Sequence, residues 1–210
     1  MARRYRSRKR AEQAQETRRR IIDATLALHA ERGIQGTKPQ EIAARADVAL
    51  TTYYKHFPTV GELVRACGAR GMELTPPPDP AILAGLPQDP AARIEAAVRA
   101  LFAFYEAREE WLYTGFTEER FFPEIQLGMA HLREMRAALV RGALVGAGPG
   151  AVGVAAALVD FWAWRTLRRE VGLSQEQAID AVVETVRRLA GTALSAGGAA
   201  ESPAGRPPSA

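Results

Sequence analysis

Residues 37 to 57, TKPQEIAARADVALTTYYKHF, constrain the chain more than any other stretch. Thr37 can accept from the backbone N–H of Gln40, and Gln40 can reach back, the reciprocal arrangement that starts a helix. Pro39 is tolerated because it falls in the first turn, where its missing N–H has no intrahelical partner. Ile42, Ala43 and Ala46 give that helix a small apolar face. Asp47 and Val48 form a turn, with Val48 as an apolar plug. Leu50 to Phe57 form a second helix, with Tyr53 and Phe57 four residues apart and facing inward. Leu50, Thr51, Thr52, Tyr54, Lys55 and His56 are left on its outer and flanking faces. Two short helices joined this way form a helix-turn-helix, whose second helix enters the major groove of DNA. Those six residues, with Thr37 and Lys38, are the expected contacts to phosphates and base edges. The alternative is a three-helix packing unit with Tyr54 and His56 as ordinary surface residues.

The same residues carry a family resemblance. The pieces TRRRIIDATLALHAERG, then Thr37, then EIAARADV, then TTYYKHFPTVGEL, resemble the DNA-binding domain of TetR-family transcriptional regulators from Thr17 to Leu63. Three positions depart from the family pattern. Asp47 replaces a turn glycine, and Asp tolerates a left-handed turn. Ala49 replaces a serine that caps the second helix, at a cost of ~1 kcal/mol. Val60 replaces a lysine. The resemblance implies an all-α homodimer in which movement of the helix after the helix-turn-helix transmits a ligand signal.

Charge is unevenly placed. Residues 1–70 hold 15 Lys/Arg against 7 Asp/Glu, whereas residues 71–210 hold 13 against 17. Only the front has the electrostatic footprint for a polyanion. The single cysteine, Cys67, excludes an internal disulfide framework and suits a reducing cytosol, so a cytoplasmic location is expected. The basic start, ARRYRSRKR, is followed by no apolar run and does not read as a secretory signal.

The density of cations before Glu12 leads us to expect a disordered arm over 1–15, which either contacts phosphates or the minor groove or is a solvated tail that aids non-specific attraction. A helix from about Glu16 to Arg32 carries an apolar stripe through Ile21, Ile22, Thr25, Leu26, Leu28 and His29, and Gly33 lets the chain reverse. Domain boundaries are expected at 16–62 for the DNA-binding part and 63–195 for a regulatory and dimerisation part. A tail at 196–210 is expected to be disordered. Thr59 can cap a helix over Val60–Met72. Residues 75–90 contain six prolines and read as an extended loop. Further helices follow from about residue 90 to Glu109, from Glu110 to Glu119, and from Pro123 to the glycines at 142–150. Residues 151–164, AVGVAAALVDFWAW, are apolar nearly all round and read as one helix needing cover on several sides. Ser174 and Gln177 form a second capping box. It opens a helix striped by Ile179, Val182, Val186, Leu189 and Ala193, widened by Val183, Ala190 and Leu194. These two helices are expected to meet their copies in a dimer, the symmetry a palindromic operator requires.

Several motifs carry less. GPGAVG at 148–153 matches a dinucleotide-binding pattern, but a helix rather than a strand precedes it. The apolar run from Ala143 to Trp164 holds Asp160 and Pro149, which argues against a membrane span. Three scattered histidines form no metal pattern, no nucleophile–base constellation appears, and no cofactor is expected. Aromatic residues gather in the second part. An effector cavity is expected among Phe102, Tyr105, Trp111, Phe116, Met129, Arg133, Trp162 and Arg165, for a small apolar or acidic molecule. The whole reads as an all-α chain of about nine helices: a three-helix DNA-binding domain, then a ligand-binding and dimerisation bundle. The expected function is a homodimeric repressor that a small effector releases from double-stranded operator DNA. The alternative is a constitutive regulator whose bundle only dimerises or binds a protein.

Overall fold

The computed structural model describes residues 2–197, with side chains described from residue 4 to residue 189. Nine α-helices and no strand occur among the described residues. They are α1 (Ala2–Arg32), α2 (Pro39–Arg45), α3 (Leu50–His56), α4 (Val60–Leu74), α5 (Pro90–Glu118), α6 (Pro123–Ala143), α7 (Pro149–Leu158), α8 (Phe161–Arg165) and α9 (Gln175–Gly197). No described helix is long and apolar enough to cross a membrane.

The chain forms two compact units. Of the described residues, the first comprises 2–76 and 107–132, and the second 77–106 and 133–197. This division differs from the one expected at 62/63, which falls inside α4. The break within α5 is visible in the backbone. Arg108 has non-helical angles, φ −133° and ψ 22°, and bends the helix. The expected junction between two helices at Glu109/Glu110 therefore appears as a kink one or two residues earlier.

In the first unit, α1 packs against α2 and α4, and α2 against α3. The core joins Ile21, Ile22, Ala24 and Leu28 of α1 to Ile42, Ala43 and Ala46, to Tyr53 and Phe57, and to Leu63 and Cys67 of α4. The expected disordered arm at 1–15 is corrected: α1 begins at Ala2. Residues 4–16 are all exposed, so no tertiary packing holds them. Their helix rests on local terms, a run of Arg, Ala, Glu and Gln without Gly or Pro, and an i,i+4 pair between Arg8 and Glu12. Density of charge forbids a packed core but does not forbid an exposed helix.

The second unit is centred on aromatic residues. Tyr105 is buried, donates to the Val159 carbonyl at 3.1 Å, and meets Phe161 edge-on with ring centres 5.7 Å apart. Trp164 completes the cluster and donates from Nε1 to Gln175 at 3.2 Å. The proline-rich loop is less extended than expected. A short 3₁₀ turn at Pro80–Leu83 buries Leu83, and Arg93 ties the Leu83 carbonyl to that of Gly142.

One expectation for this unit is corrected. The apolar run 151–164 is two helices, because the Asp160 carboxylate caps α8 by accepting from Trp162 N and also contacts Arg136. The described part of the α9 stripe is covered from within: Ile179, Val182, Val183 and Val186 are buried in the unit, and α9 packs against α7. The Ser174–Gln177 capping box forms with both bonds, at 2.8 and 3.2 Å. Ala190, Ala193 and Leu194 lie outside the residues whose side chains are described, and the expected tail lies outside the described residues from 198 on.

Candidate nucleic-acid interface

The interface is built on α2 and α3. The start of α2 lies one residue later than expected. Lys38 is the N-cap residue, and its backbone N–H donates to the Glu41 carboxylate at 3.0 Å. An ammonium group only donates, so half of a capping box forms. Thr37 instead donates its hydroxyl to the Gly33 carbonyl at 2.7 Å, closing the loop after α1. Gln40, the expected reciprocal partner, is exposed.

The turn is made by Asp47 at φ +51°, the one non-glycine residue with positive φ among those described. Left-handed backbone costs most residues but is tolerated by Asp. Arg20 of α1 holds the turn from outside. Its guanidinium donates to the Ala46 carbonyl and, at 2.7 Å, to the Asp47 carbonyl. Val48 packs half-buried against the core.

Tyr53 and Phe57 are 2% and 1% exposed and anchor α3. With that face fixed, Thr51, Tyr54 and Lys55 are exposed, and Lys38 is exposed on the neighbouring helix. Thr52 and His56 are half-buried at the margins. Leu50 is half-buried too and packs against the core, so it contributes more to anchoring α3 than its expected outer position implies. Burial, aided by Arg18 and Lys55, lowers the pKa of His56, which keeps its imidazole neutral near pH 7. The N-cap residue Ala49 offers no side-chain acceptor. At the other end of α3, Arg18 lays its guanidinium 4.3 Å from the centre of the Phe57 ring and donates to the His56 carbonyl at 3.3 Å.

A further support comes from the end of α5. The Glu118 carboxylate accepts from the backbone N–H groups of Ile34 and Gln35 at 3.0 and 2.9 Å. Gly33, at φ +76°, makes room for it, since a Cβ there would fall 2.2 Å from a Glu118 oxygen. Arg18, Arg20 and Glu118 were missed from the sequence because their partners are mostly backbone groups far along the chain.

The same unit holds a partly open cavity of about 70 Å³. Its walls come from α1 (Leu26, His29, Ala30), α4 (Val64, Cys67, Gly68), the end of α5 (Trp111, Thr114, Gly115) and the start of α6 (Ile125, Met129), with Ile34. Burial pushes the His29 pKa down to about 4 and that of Cys67 up to about 12, so both are neutral at pH 7. Of the expected effector residues, Trp111 and Met129 line this cavity. Phe102 and Tyr105 are buried in the second unit, Trp162 is exposed there, Arg165 is half-buried there, and Arg133 is exposed. Phe116 is half-buried in the first unit and is not among the cavity's walls.

The family pattern described as bacterial regulatory proteins, tetR family, matches residues 21–67, the span from the core of α1 to Cys67. The N-terminal part is similar to the TetR-family regulatory domain over that span. Curated relatives show similarity over part of the chain as well. The HTH-type transcriptional repressor KstR of Mycolicibacterium smegmatis is 41% identical over 76 residues, 36% of this chain and 37% of that protein. KstR of Rhodococcus jostii is 43% identical over 58 residues, 28% of this chain and 27% of that protein. The matched region thus spans about a third of these relatives' length. Both relatives are named as transcriptional repressors.

The fold has counterparts among solved structures as well. A TetR-family member from Streptomyces coelicolor A3 is 25% identical with a TM-score of 0.59, covering 82% of this chain and 97% of that one. AibR, solved with isovaleryl coenzyme A and operator DNA, has a TM-score of 0.62 at 19% identity, covering 80% and 97%. A Saccharomonospora viridis regulator solved with choline has a TM-score of 0.62 at 20% identity, covering 82% and 96%.

Proposed function

We propose that the chain is a homodimeric transcriptional repressor that binds a palindromic operator and leaves it when a small molecule binds. The observation that carries this reading is the shape of α3. Two aromatic anchors fix one face, and Thr51, Tyr54 and Lys55 stand exposed on the other. A tyrosine, a hydroxyl and a cation on a short exposed helix can meet bases and phosphates together. Thr37, Lys38, Thr52 and His56 flank that row, and Leu50 sets its depth. The net positive charge of residues 1–70 supplies the long-range attraction. The curated relatives are named as repressors, and AibR was solved on operator DNA with a small ligand.

Dimerisation follows from the geometry of such sites, since two recognition helices one DNA turn apart read a palindrome. On α7, Gly153, Val154 and Ala157 are exposed, a small apolar surface on which backbones can approach closely. An effector need only favour the non-binding arrangement by a few kcal/mol to shift occupancy strongly. Selection of bound duplexes from a random DNA pool, with sedimentation of the complex, tests the reading. Enrichment of an inverted repeat bound by two chains is expected. Recovery of no preferred sequence would defeat it.

A further inference from the structure

We propose that the cavity between α1, α4, the end of α5 and the start of α6 is a binding site for a small, uncharged, largely apolar molecule, and that its occupation weakens DNA binding. This rests on the proposed repressor function and adds the site and the chemistry of its occupant.

The walls decide the chemistry. Leu26, Val64, Ile125 and Met129 are aliphatic or thioether surfaces, and Trp111 adds an aromatic one. The polar groups at the wall are the His29 imidazole, the Cys67 thiol and Thr114, whose hydroxyl donates to the His29 carbonyl at 3.4 Å. None of these is charged near neutral pH, because burial keeps His29 deprotonated and Cys67 protonated. No Lys, Arg, Asp or Glu lines the space. A carboxylate entering it would lose its hydration and meet no cation, a penalty of several kcal/mol. A neutral alkyl group loses nothing comparable and fills contacts the walls lack. At ~15 Å³ per water position, the space takes an occupant of about five non-hydrogen atoms.

The position decides the consequence. Cys67 and, one turn before it, Leu63 belong to the core that holds Tyr53 and Phe57, while Cys67 also faces the cavity. Leu26 is shared in the same way on α1. An occupant in contact with Cys67 and Leu26 therefore bears directly on side chains of the packing that orients α3. Gly68 provides the control. It lines the cavity, and a Cβ built on it meets no atom within 4 Å. A methyl added there displaces no neighbour, and a longer side chain extends from the cavity wall.

The test uses the full chain labelled with ¹³C at the methionine methyls, of which there are four: Met1, Met72, Met129 and Met135. The probes are 1-butanol and its charged counterpart, butanoate. We expect 1-butanol to shift the Met129 methyl saturably while Met135 stays in place, and butanoate to shift neither. Gly68→Leu should weaken 1-butanol binding at least tenfold, and Gly68→Ala, with one added methyl, by less. On a selected operator duplex, saturating 1-butanol should weaken wild-type binding about tenfold and leave Gly68→Leu unaffected. A Met129 signal that does not move, that moves together with Met135, or that moves equally in wild type and both Gly68 variants would overturn the site. Saturable binding with unchanged DNA affinity would overturn the coupling. Absence of any selected duplex defeats the repressor reading, and the Met129 measurement still decides the site by itself.

Discussion

The Glu118 carboxylate accepts the backbone N–H of Ile34 at 3.0 Å across 84 positions of sequence. With the bond from Gln35, it satisfies the loop that ends α1 and leads to Thr37 and Lys38. Hydrogen bonds to a charged acceptor contribute about 1.5–3 kcal/mol when buried, and less at a half-exposed site. Glu118→Ala should therefore lower unfolding stability by about 1–2 kcal/mol. It should also weaken DNA binding, because the entry to α2 loosens. Urea denaturation and fluorescence anisotropy with a selected duplex measure the two effects.

Lys55 stands exposed on the outer face of α3. Its replacement by Gln should weaken binding to every duplex by a similar factor and reduce the slope of log affinity against log salt by about 1. Salt titrations of operator and unrelated DNA check this. An unchanged slope would remove Lys55 from the phosphate contacts.

Ala49→Ser should stabilise the domain. Its backbone is already extended, φ −66° and ψ 145°, as an N-cap requires. The added hydroxyl can accept from the first-turn N–H groups of α3, a gain of about 0.5–1 kcal/mol. The midpoint of urea unfolding should rise with its slope unchanged.

His29 predicts a pH dependence. Its folded pKa is about 4, below the ordinary 6.5, because burial disfavours the imidazolium. The unfolded chain therefore binds the proton more readily between those values. Stability is fully present above pH 6.5 and falls as the pH drops toward 4, by about 3 kcal/mol at the limit. His29→Gln should flatten the change in urea midpoint over that window.

Arg18 should matter to α3 without needing to touch DNA. Arg18→Ala removes the contact over Phe57 and the bond to the His56 carbonyl. The contact over the ring is worth about 0.5–1 kcal/mol at an exposed site. A fall in DNA affinity larger than that stability loss, measured on the same protein, would show that Arg18 sets the position of α3.

The parts legible in the sequence were those governed by local spacing. Tyr53 and Phe57, one turn apart, had to share a face, and Asp47 marked the left-handed turn by its tolerance for it. Thr59 and Ser174 identified their caps because a hydroxyl three residues before a free N–H has one obvious use. Thr37 misled for the same reason, since its hydroxyl found the Gly33 carbonyl and left Glu41 to cap from within the helix. The break at Asp160 was hidden by apolar neighbours on both sides, although an Asp before three aromatic-rich positions is itself a start signal. The α9 stripe could be read, but not what would cover it. The cavity's lining was least legible, because twelve residues from four helices and a loop converge only once the chain is folded.

Cys67 is the one sulfhydryl in the chain, and burial holds it in the unreactive thiol form. Its surroundings therefore leave the outside of the molecule chemically blank to maleimides. A cysteine introduced at Ala44, exposed on α2 and outside the proposed contact row, would be the sole fast-labelling position, so a dye placed there could report the proposed approach to DNA without further engineering.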